Sequence, residues 1–279
     1  MNKLKIALQK AGRLHEESIN LLNACGFKLS LDLKQLKVST FNLDVFLLRD
    51  DDIPGFVQKG IADVGIVGKN VILEQEMDFL IRDNLGFGYC KLSFAVPKES
   101  LYKSVKDLSG KCIATSHPKI LDKFLKEHNI KSSIHKISGS VEIAPNIGIA
   151  DAICDLVSSG RTLDSNNLKE IETIFSSEAV FICQPKYDIL VDNLFFRIRA
   201  VKRARDNNYL LFNAPNKNLD KIIYYLHKLC QILHIRPIAD SAWTYVKVIV
   251  PAFIIWNILD ELKKNSAKDL VVLPIKKFV

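Results

Sequence analysis

The stretch "DAICDLVSSGRTL", residues 151 to 163, holds a strand, a turn and the opening of a helix in one short run. The apolar residues from Ala152 to Val157, interrupted by Asp155, fit a strand buried on both faces, and Leu156 and Val157 suit its end. Ser158, Ser159 and Gly160 fit a turn whose bare backbone can approach a ligand, and Arg161, Thr162 and Leu163 lead into the next helix. Strand, glycine-bearing turn and helix together form the building unit of α/β architecture.

The same unit recurs on either side. "LKIALQ" (4 to 9), "LDVFLLRD" (43 to 50), "ADVGIVG" (62 to 68), "KLSFAVP" (91 to 97) and "KCIATS" (111 to 116) read as further strands. After the first of these, Leu14, Ser18, Leu21, Leu22 and Cys25 share one helical face, and Gly26 stands as the C-terminal cap. "DIPGFVQKG" and "PKILDKFLKEHN" read as helices, the second opening on Pro118. Mostly parallel sheets are expected. There are too many strands for one sheet, "AVPKES" near residue 97 reads as a crossover, and "EAVFICQP" (178 to 185) returns to the first body. The expectation is two α/β lobes around a cleft: residues 1–90 with 179–206, and residues 91–178. From residue 207 the order becomes βαββαβ, a ferredoxin-like module over 207–279.

Composition narrows the class. With 279 residues, 48% hydrophobic and 25% charged, the chain is long enough for several buried cores. It has no apolar run of the ~18 residues that a membrane span needs. Gln9, Lys10 and Arg13 fall where a signal peptide needs apolar residues, so a cytoplasmic location is expected. The six cysteines form no CxxC pair and are expected to be reduced thiols. A net charge of +8 permits polyanionic small substrates or nucleic acid. The densest basic cluster, "RIRAVKRAR" (197 to 205), lies late in a helix where it complements the dipole, and no basic face laced with aromatics is visible. No nucleic-acid or membrane partner is therefore expected.

A carboxylate at a strand end can accept hydrogen bonds from two vicinal sugar hydroxyls. A Ser-Ser-Gly-Arg-Thr loop offers amide N–H groups and hydroxyls to a terminal phosphate. Residues 155 to 163 thus describe a phosphoribosyl group, with an ordinary serine-rich turn as the plain alternative. The extended run "GSVEIAPNIGIADAICDLVSSGRTL" (139 to 163) is similar, at Glu142, Gly148, Ala150, Ile153, Asp155, Leu156, Ser159, Gly160, Thr162 and Leu163, to the signature of the ATP phosphoribosyltransferases. "ALQKAGRL", "LRDDDIPGFVQKGIADVGIVGKNV" (48 to 71) and "KCIATSHP" (111 to 118) extend the resemblance. The βαββαβ tail resembles the long form of that family.

The resemblance implies periplasmic-binding-protein-like lobes and a Mg²⁺-assisted reaction. In it, N1 of the ATP adenine displaces pyrophosphate from C1′ of phosphoribosyl pyrophosphate, in the first step of histidine biosynthesis. No general base is nominated, because adenine N1 carries a free lone pair. Glu142, Asp151, Asp155 and residues Ser158, Ser159, Gly160, Arg161, Thr162 and Leu163 are the expected phosphoribosyl pyrophosphate contacts, with Asp151 less well aimed than Asp155. Gly12, Arg13, Arg49, Asp51, Asp63, Gly65, Gly68, Thr115 and Ser116 are expected around ATP, and the metal is expected to ride mainly on substrate phosphates. The tail is expected to bind L-histidine as inhibitor through Asp240, Ser241 and Trp243 between subunits of a homo-oligomer, a dimer or hexamer. Ser266 departs from a glycine that family members often carry. His15 and His117 read as surface or capping residues. A two-lobed small-ligand sensor is the alternative from another class, and it would release no pyrophosphate.

Overall fold

Short β-branched and aliphatic runs alternate with amphipathic segments here, and each run becomes a strand. The computed structural model describes residues 3–29, 35–158, 160–185 and 188–279. In chain order, β1 (Leu4–Gln9), α1 (His15–Ala24), β2 (Lys37–Ser39), β3 (Leu43–Leu48), α2 (Ile53–Gln58), β4 (Val64–Gly68), α3 (Lys69–Gln75) and β5 (Leu80–Asn84) come first. They are followed by β6 (Cys90–Pro97), β7 (Cys112–Thr115), α4 (Pro118–Glu127), β8 (Ser133–Lys136), β9 (Ala152–Val157), α5 (Arg161–Ser165) and β10 (Leu168–Ser177). Then come β11 (Ala179–Cys183), α6 (Ile189–Arg205), β12 (Asn207–Pro215), α7 (Leu219–His227), β13 (Gln231–Pro237), β14 (Trp243–Pro251), α8 (Ile255–Lys264) and β15 (Lys268–Pro274).

Contacts divide the chain into two compact units, Met1–Asn20 with Phe27–Val191, and Leu21–Gly26 with Asp192–Val279. The first unit carries two sheets, ordered β2-β3-β1-β4-β11-β5 and β10-β6-β9-β7-β8. They are mixed rather than mostly parallel. β1 is parallel to β3 and β4, but β11 runs antiparallel to β4 and β5, and β6 runs antiparallel to β9 and β10. The antiparallel strands are the ones that lead the chain from one sheet to the other. Those passages are residues 85–89 and Glu178, not the "AVPKES" segment, which turns back within the second sheet through Lys98 N–H to the Asn167 carbonyl.

Phe94, Leu92, Ile113, Leu121 and Cys154 form one core of the second lobe beneath α4. In the first lobe, Ile53, Val57, Val67, Val180 and Ile182 pack α2 onto the sheet. Gly65 lies in this contact. A Cβ there would stand 2.8 Å from Ile53 Cγ2 and 3.1 Å from Val57 Cγ2, so only a glycine lets helix and strand approach this closely.

The second unit contains the sheet β13-β14-β12-β15, antiparallel throughout, in the βαββαβ order. Leu210, Phe212, Ile222, Leu226, Val246, Val248, Ile258 and Leu262 make its core. Ser266 has φ 63°, and its N–H meets the Lys263 carbonyl at 2.9 Å, so the left-handed turn is retained with a residue that strains it. Among the described residues no helix is long and apolar enough to cross a membrane. All six cysteines are free thiols, and burial pushes those of Cys25 and Cys230 up to about 11.

Candidate active site

β9 ends beside β7, and the polar residues at their C-terminal ends meet. Ser116 Oγ donates to Asp155 Oδ1 at 2.6 Å, and the Leu156 N–H also bonds to this carboxylate. Burial raises the Asp155 pKa above the ordinary carboxylate value. The Ser116 and Leu156 hydrogen bonds and the His117 ring oppose the rise, and the neighbouring Glu142 adds to it. An aspartate this enclosed, with side-chain exposure of 22%, has its preferred charge set by whatever hydroxyls it receives. Thr115 is fully buried, and its Oγ1 accepts the His117 N–H at 2.9 Å, which makes it a turn-former at the strand end.

Past Val157 the chain enters the loop. Ser158 is exposed, Gly160 adopts φ 75°, and Arg161 and Thr162 are exposed at the start of α5. Ser159 lies outside the described residues. The Leu163 side chain is buried with Ala144, Val157 and Leu168, which leaves its main chain to a ligand. Glu142 sits half-buried on the turn Val141–Ile143.

Asp151 does not join this group. It starts β9, where its Oδ2 accepts the Cys112 N–H at 2.8 Å while its own N–H bonds the Cys112 carbonyl at 2.8 Å. Four residues of strand carry it about 13 Å from Asp155 at ~3.3 Å each. Asp63 does the same in the other lobe. Its Oδ2 takes the Lys5 N–H at 2.7 Å, and its N–H bonds the Lys5 carbonyl at 2.8 Å, at the start of β4 and the opposite end from Gly68. In the "IAD" runs at 61–63 and 149–151, the aspartate ties two parallel strands of its lobe together at their starts. Asp63, Gly65 and Asp151 thus help to build the sheets, and Asp63 and Asp151 lie at the strand ends opposite Gly68 and Asp155.

At the working end of the first sheet, Gly12 turns with φ 103° and Arg13 lies half-buried, its Nη2 3.6 Å from where a Gly68 Cβ would be. Of the acids after the exposed Arg49, Asp51 and Asp52 are exposed while Asp50 turns inward. Burial raises the Asp50 pKa to about 6, against the pull of Arg13 and a Gly68 N–H bond, with Asp51 adding to the rise. Its Oδ1 is buried without a hydrogen-bond partner among the described residues. The sequence pattern of three like charges hid which one faces inward.

The two lobes meet here through buried polar groups that sequence reasoning passed over. Asn70 Nδ2 lies 3.0 Å from His117 Nε2, and Ser177 Oγ donates to Asn70 Oδ1 at 2.9 Å. His117 is 8% exposed, Asn70 1% and Ser177 4%, so His117 stands at the N-cap position of α4 but is not a surface residue. Glu74 of α3 also accepts the Lys119 and Ile120 N–H groups at 3.0 Å, capping α4 of the other lobe. A histidine following "ATS" at a strand end was the one visible signal, and its partners lie 47 residues away and beyond.

In the second unit, Ser241 Oγ accepts the Trp243 N–H at 3.2 Å, and Asn216 Nδ2 reaches the Ser241 carbonyl at 3.3 Å. Asp240 is exposed with φ 51°, and Lys268 Nζ stands 5.1 Å from the Trp243 ring centre. These residues share one end of the four-stranded sheet.

A profile of the ATP phosphoribosyltransferase family matches residues 49–200, and one described as the HisG C-terminal domain matches residues 204–277. The ATP phosphoribosyltransferase of Cytophaga hutchinsonii is 45% identical over 99% of this chain and 98% of its own length. That of Bacteroides fragilis strain ATCC 25285 is 45% identical over 99% of each chain. A chain of the ATP phosphoribosyl transferase (HisG:HisZ) complex from Thermotoga maritima superposes with TM-score 0.60 at 27% identity, covering 70% of this chain and 98% of that one. The substrate-binding protein of an amino acid ABC transporter, at 14% identity and TM-score 0.50 over 73% of this chain and 94% of its own, shares the fold alone. The chain belongs to the ATP phosphoribosyltransferase family, the pentosyltransferases that join N1 of the ATP adenine to C1′ of phosphoribosyl pyrophosphate in the first step of histidine biosynthesis.

Proposed function

We propose that phosphoribosyl pyrophosphate binds with its ribose hydroxyls on Asp155 and its 5′-phosphate on the main chain and hydroxyls of residues 158–163. ATP then lies against the first-lobe rim of Gly12, Arg13, Arg49, Asp51 and Gly68, facing Ser116. The observation that carries this reading is a half-enclosed carboxylate at the C-terminal end of β9, immediately before a turn with Gly160 left-handed. That is where open α/β sheets bind ligands. No described side chain needs to remove a proton. Catalysis consists of holding two anions in line and stabilising the ribosyl cation beside a carboxylate.

Among the described residues no three His, Cys, Asp or Glu side chains are grouped to cage an ion. Asp155 and Glu142, the carboxylates of the sugar site, would face a Mg²⁺ ion carried on the substrate's phosphates. Bound there, the ion would neutralise the departing pyrophosphate. The C-terminal unit binds L-histidine through Asp240, Ser241 and Trp243 at a junction of a homodimer or hexamer. The enzyme works in the cytoplasm, where its phosphorylated substrates are made. Absorbance growth near the adenine band on mixing both substrates with Mg²⁺ tests the chemistry. Loss of histidine inhibition without loss of basal rate in Asp240→Ala tests the regulation, and an equally inhibited variant refutes that site.

A further inference from the structure

The chain of contacts from Asp155 into the first lobe has a single consistent direction of donors. The Asp155 carboxylate only accepts, so the Ser116 hydroxyl donates to it at 2.6 Å. Ser116 Oγ then accepts from His117 Nδ1, 2.8 Å away, which puts the ring proton on Nδ1 and leaves Nε2 a bare acceptor. Nε2 faces Asn70 Nδ2 at 3.0 Å. With Nε2 a bare acceptor, the Asn70 amide turns its NH₂ to the ring, and Ser177 Oγ, which accepts the Asn70 backbone N–H at 3.1 Å, donates to Asn70 Oδ1 at 2.9 Å. Gly68 is part of the device, since a Cβ there would collide with Asn70 Oδ1. Two residues of the first lobe's side of the interface thus decide how a serine of the second lobe presents itself to the ribose-binding carboxylate.

We propose that His117 and Asn70 are positioning residues for phosphoribosyl pyrophosphate. By accepting from Asn70 and donating to Ser116, the His117 ring aims the Ser116 hydroxyl at Asp155 and holds that carboxylate for the sugar. It does so only while the lobes are seated on each other. This assignment rests on the reading that Asp155 holds the ribose.

The charged groups facing the ring are Asp155 on β9, Glu74 on α3, Asp51 on the turn before α2 and Arg13 after β1. Burial lowers the His117 pKa below the ordinary histidine value despite the three acids, with Arg13 assisting. A second ring proton would point at the Asn70 amide hydrogens and break the chain.

The test uses the full-length enzyme with ATP, phosphoribosyl pyrophosphate and MgCl₂. Losing one buried, ordered hydrogen bond corresponds to about a tenfold change in an equilibrium constant. His117→Phe and Asn70→Ala should each raise KM for phosphoribosyl pyrophosphate about tenfold while KM for ATP stays within about twofold. In a Ser116→Ala background, His117→Phe should add nothing, because it acts through that hydroxyl. An independent further rise there, or an equal rise in KM for ATP, overturns the proposal. If His117→Phe fails to fold, Asn70→Ala carries the same expectation with the ring in place. Asn70→Asp supplies an acceptor for Nε2–H, so the acid-side loss of phosphoribosyl pyrophosphate affinity should move to lower pH, and an unmoved profile counts against the relay. Asp155→Asn separates the two readings: if it leaves KM for phosphoribosyl pyrophosphate unchanged, the ribose reading has failed. If it raises that KM and His117→Phe does not, the relay alone has failed.

Discussion

Replacing Asp155 by asparagine removes one charge while keeping an acceptor for the Ser116 hydroxyl 2.6 Å away. Two hydroxyls bonded to a carboxylate contribute about 1.5–3 kcal/mol each, and to a neutral acceptor about 0.5–1.5. The loss is therefore about 2–3 kcal/mol, or a ~30- to ~160-fold fall in kcat/KM for phosphoribosyl pyrophosphate, measured by the rise in absorbance on product formation. The fold should not suffer. Burial raises the Asp155 pKa, so the ionised carboxylate is costlier to hold in the folded chain than in the unfolded one. A group shifted in that direction stabilises the fold most below its unfolded value, and the contribution is lost as pH rises through its folded value. Asp155→Asn should then match or slightly exceed the parent in melting temperature at neutral pH, within about 2 °C, and lose that margin in acid. A kcat/KM within about threefold of the parent refutes the ribose assignment, and a melting temperature lower by about 5 °C or more refutes the argument from burial.

Asp63→Ala and Asp151→Ala each remove one carboxylate bond to a neighbouring strand's N–H. Each should cost about 1–2 kcal/mol by denaturant unfolding with KM for both substrates changed less than about twofold, and a selective rise in either KM would restore a ligand role. Gly65→Ala forces a methyl against Ile53, Val57 and Ile182 and should cost about 1–3 kcal/mol, a fall of roughly 3–10 °C. If it instead raises KM for ATP at unchanged melting temperature, the packing explanation is wrong. Ser266→Gly relieves a left-handed serine at φ 63° and should stabilise the second unit by about 1 kcal/mol, read as slower amide exchange in β12 and β14. Unchanged or faster exchange would show that the turn is not strained.

The central strands were legible because they are mostly buried: β1, β3, β4, β6, β7, β9 and β11 are largely apolar runs that no helix period fits. The four strands that the sequence did not reveal, β2, β5, β8 and β10, are the edges of the two sheets in the first unit. An edge strand is half-exposed and blunted with charge. β10 carries Lys169, Glu170 and Glu172 and two register shifts, which erase the alternation that would mark it. In the second unit even the edges were readable, since β13 and β15 keep apolar residues such as Ile235, Val271 and Val272.

Sequence alone pointed to the chemistry in this chain, because a carboxylate, a glycine turn and a helix start, proposed above to act on one ligand, follow one another along the backbone from Asp155 to Leu163. It ranked Asp155 above Asp151 but kept both as ligands. Asp151 and Asp155 differ only in which end of β9 they occupy, and the end becomes meaningful once β7 lies alongside. Tertiary structure alone brought Asn70 and Ser177 to His117, across 47 and 60 residues of chain. A hydrogen bond depends on distance and direction in space, and neither is encoded in how far apart two residues stand in sequence.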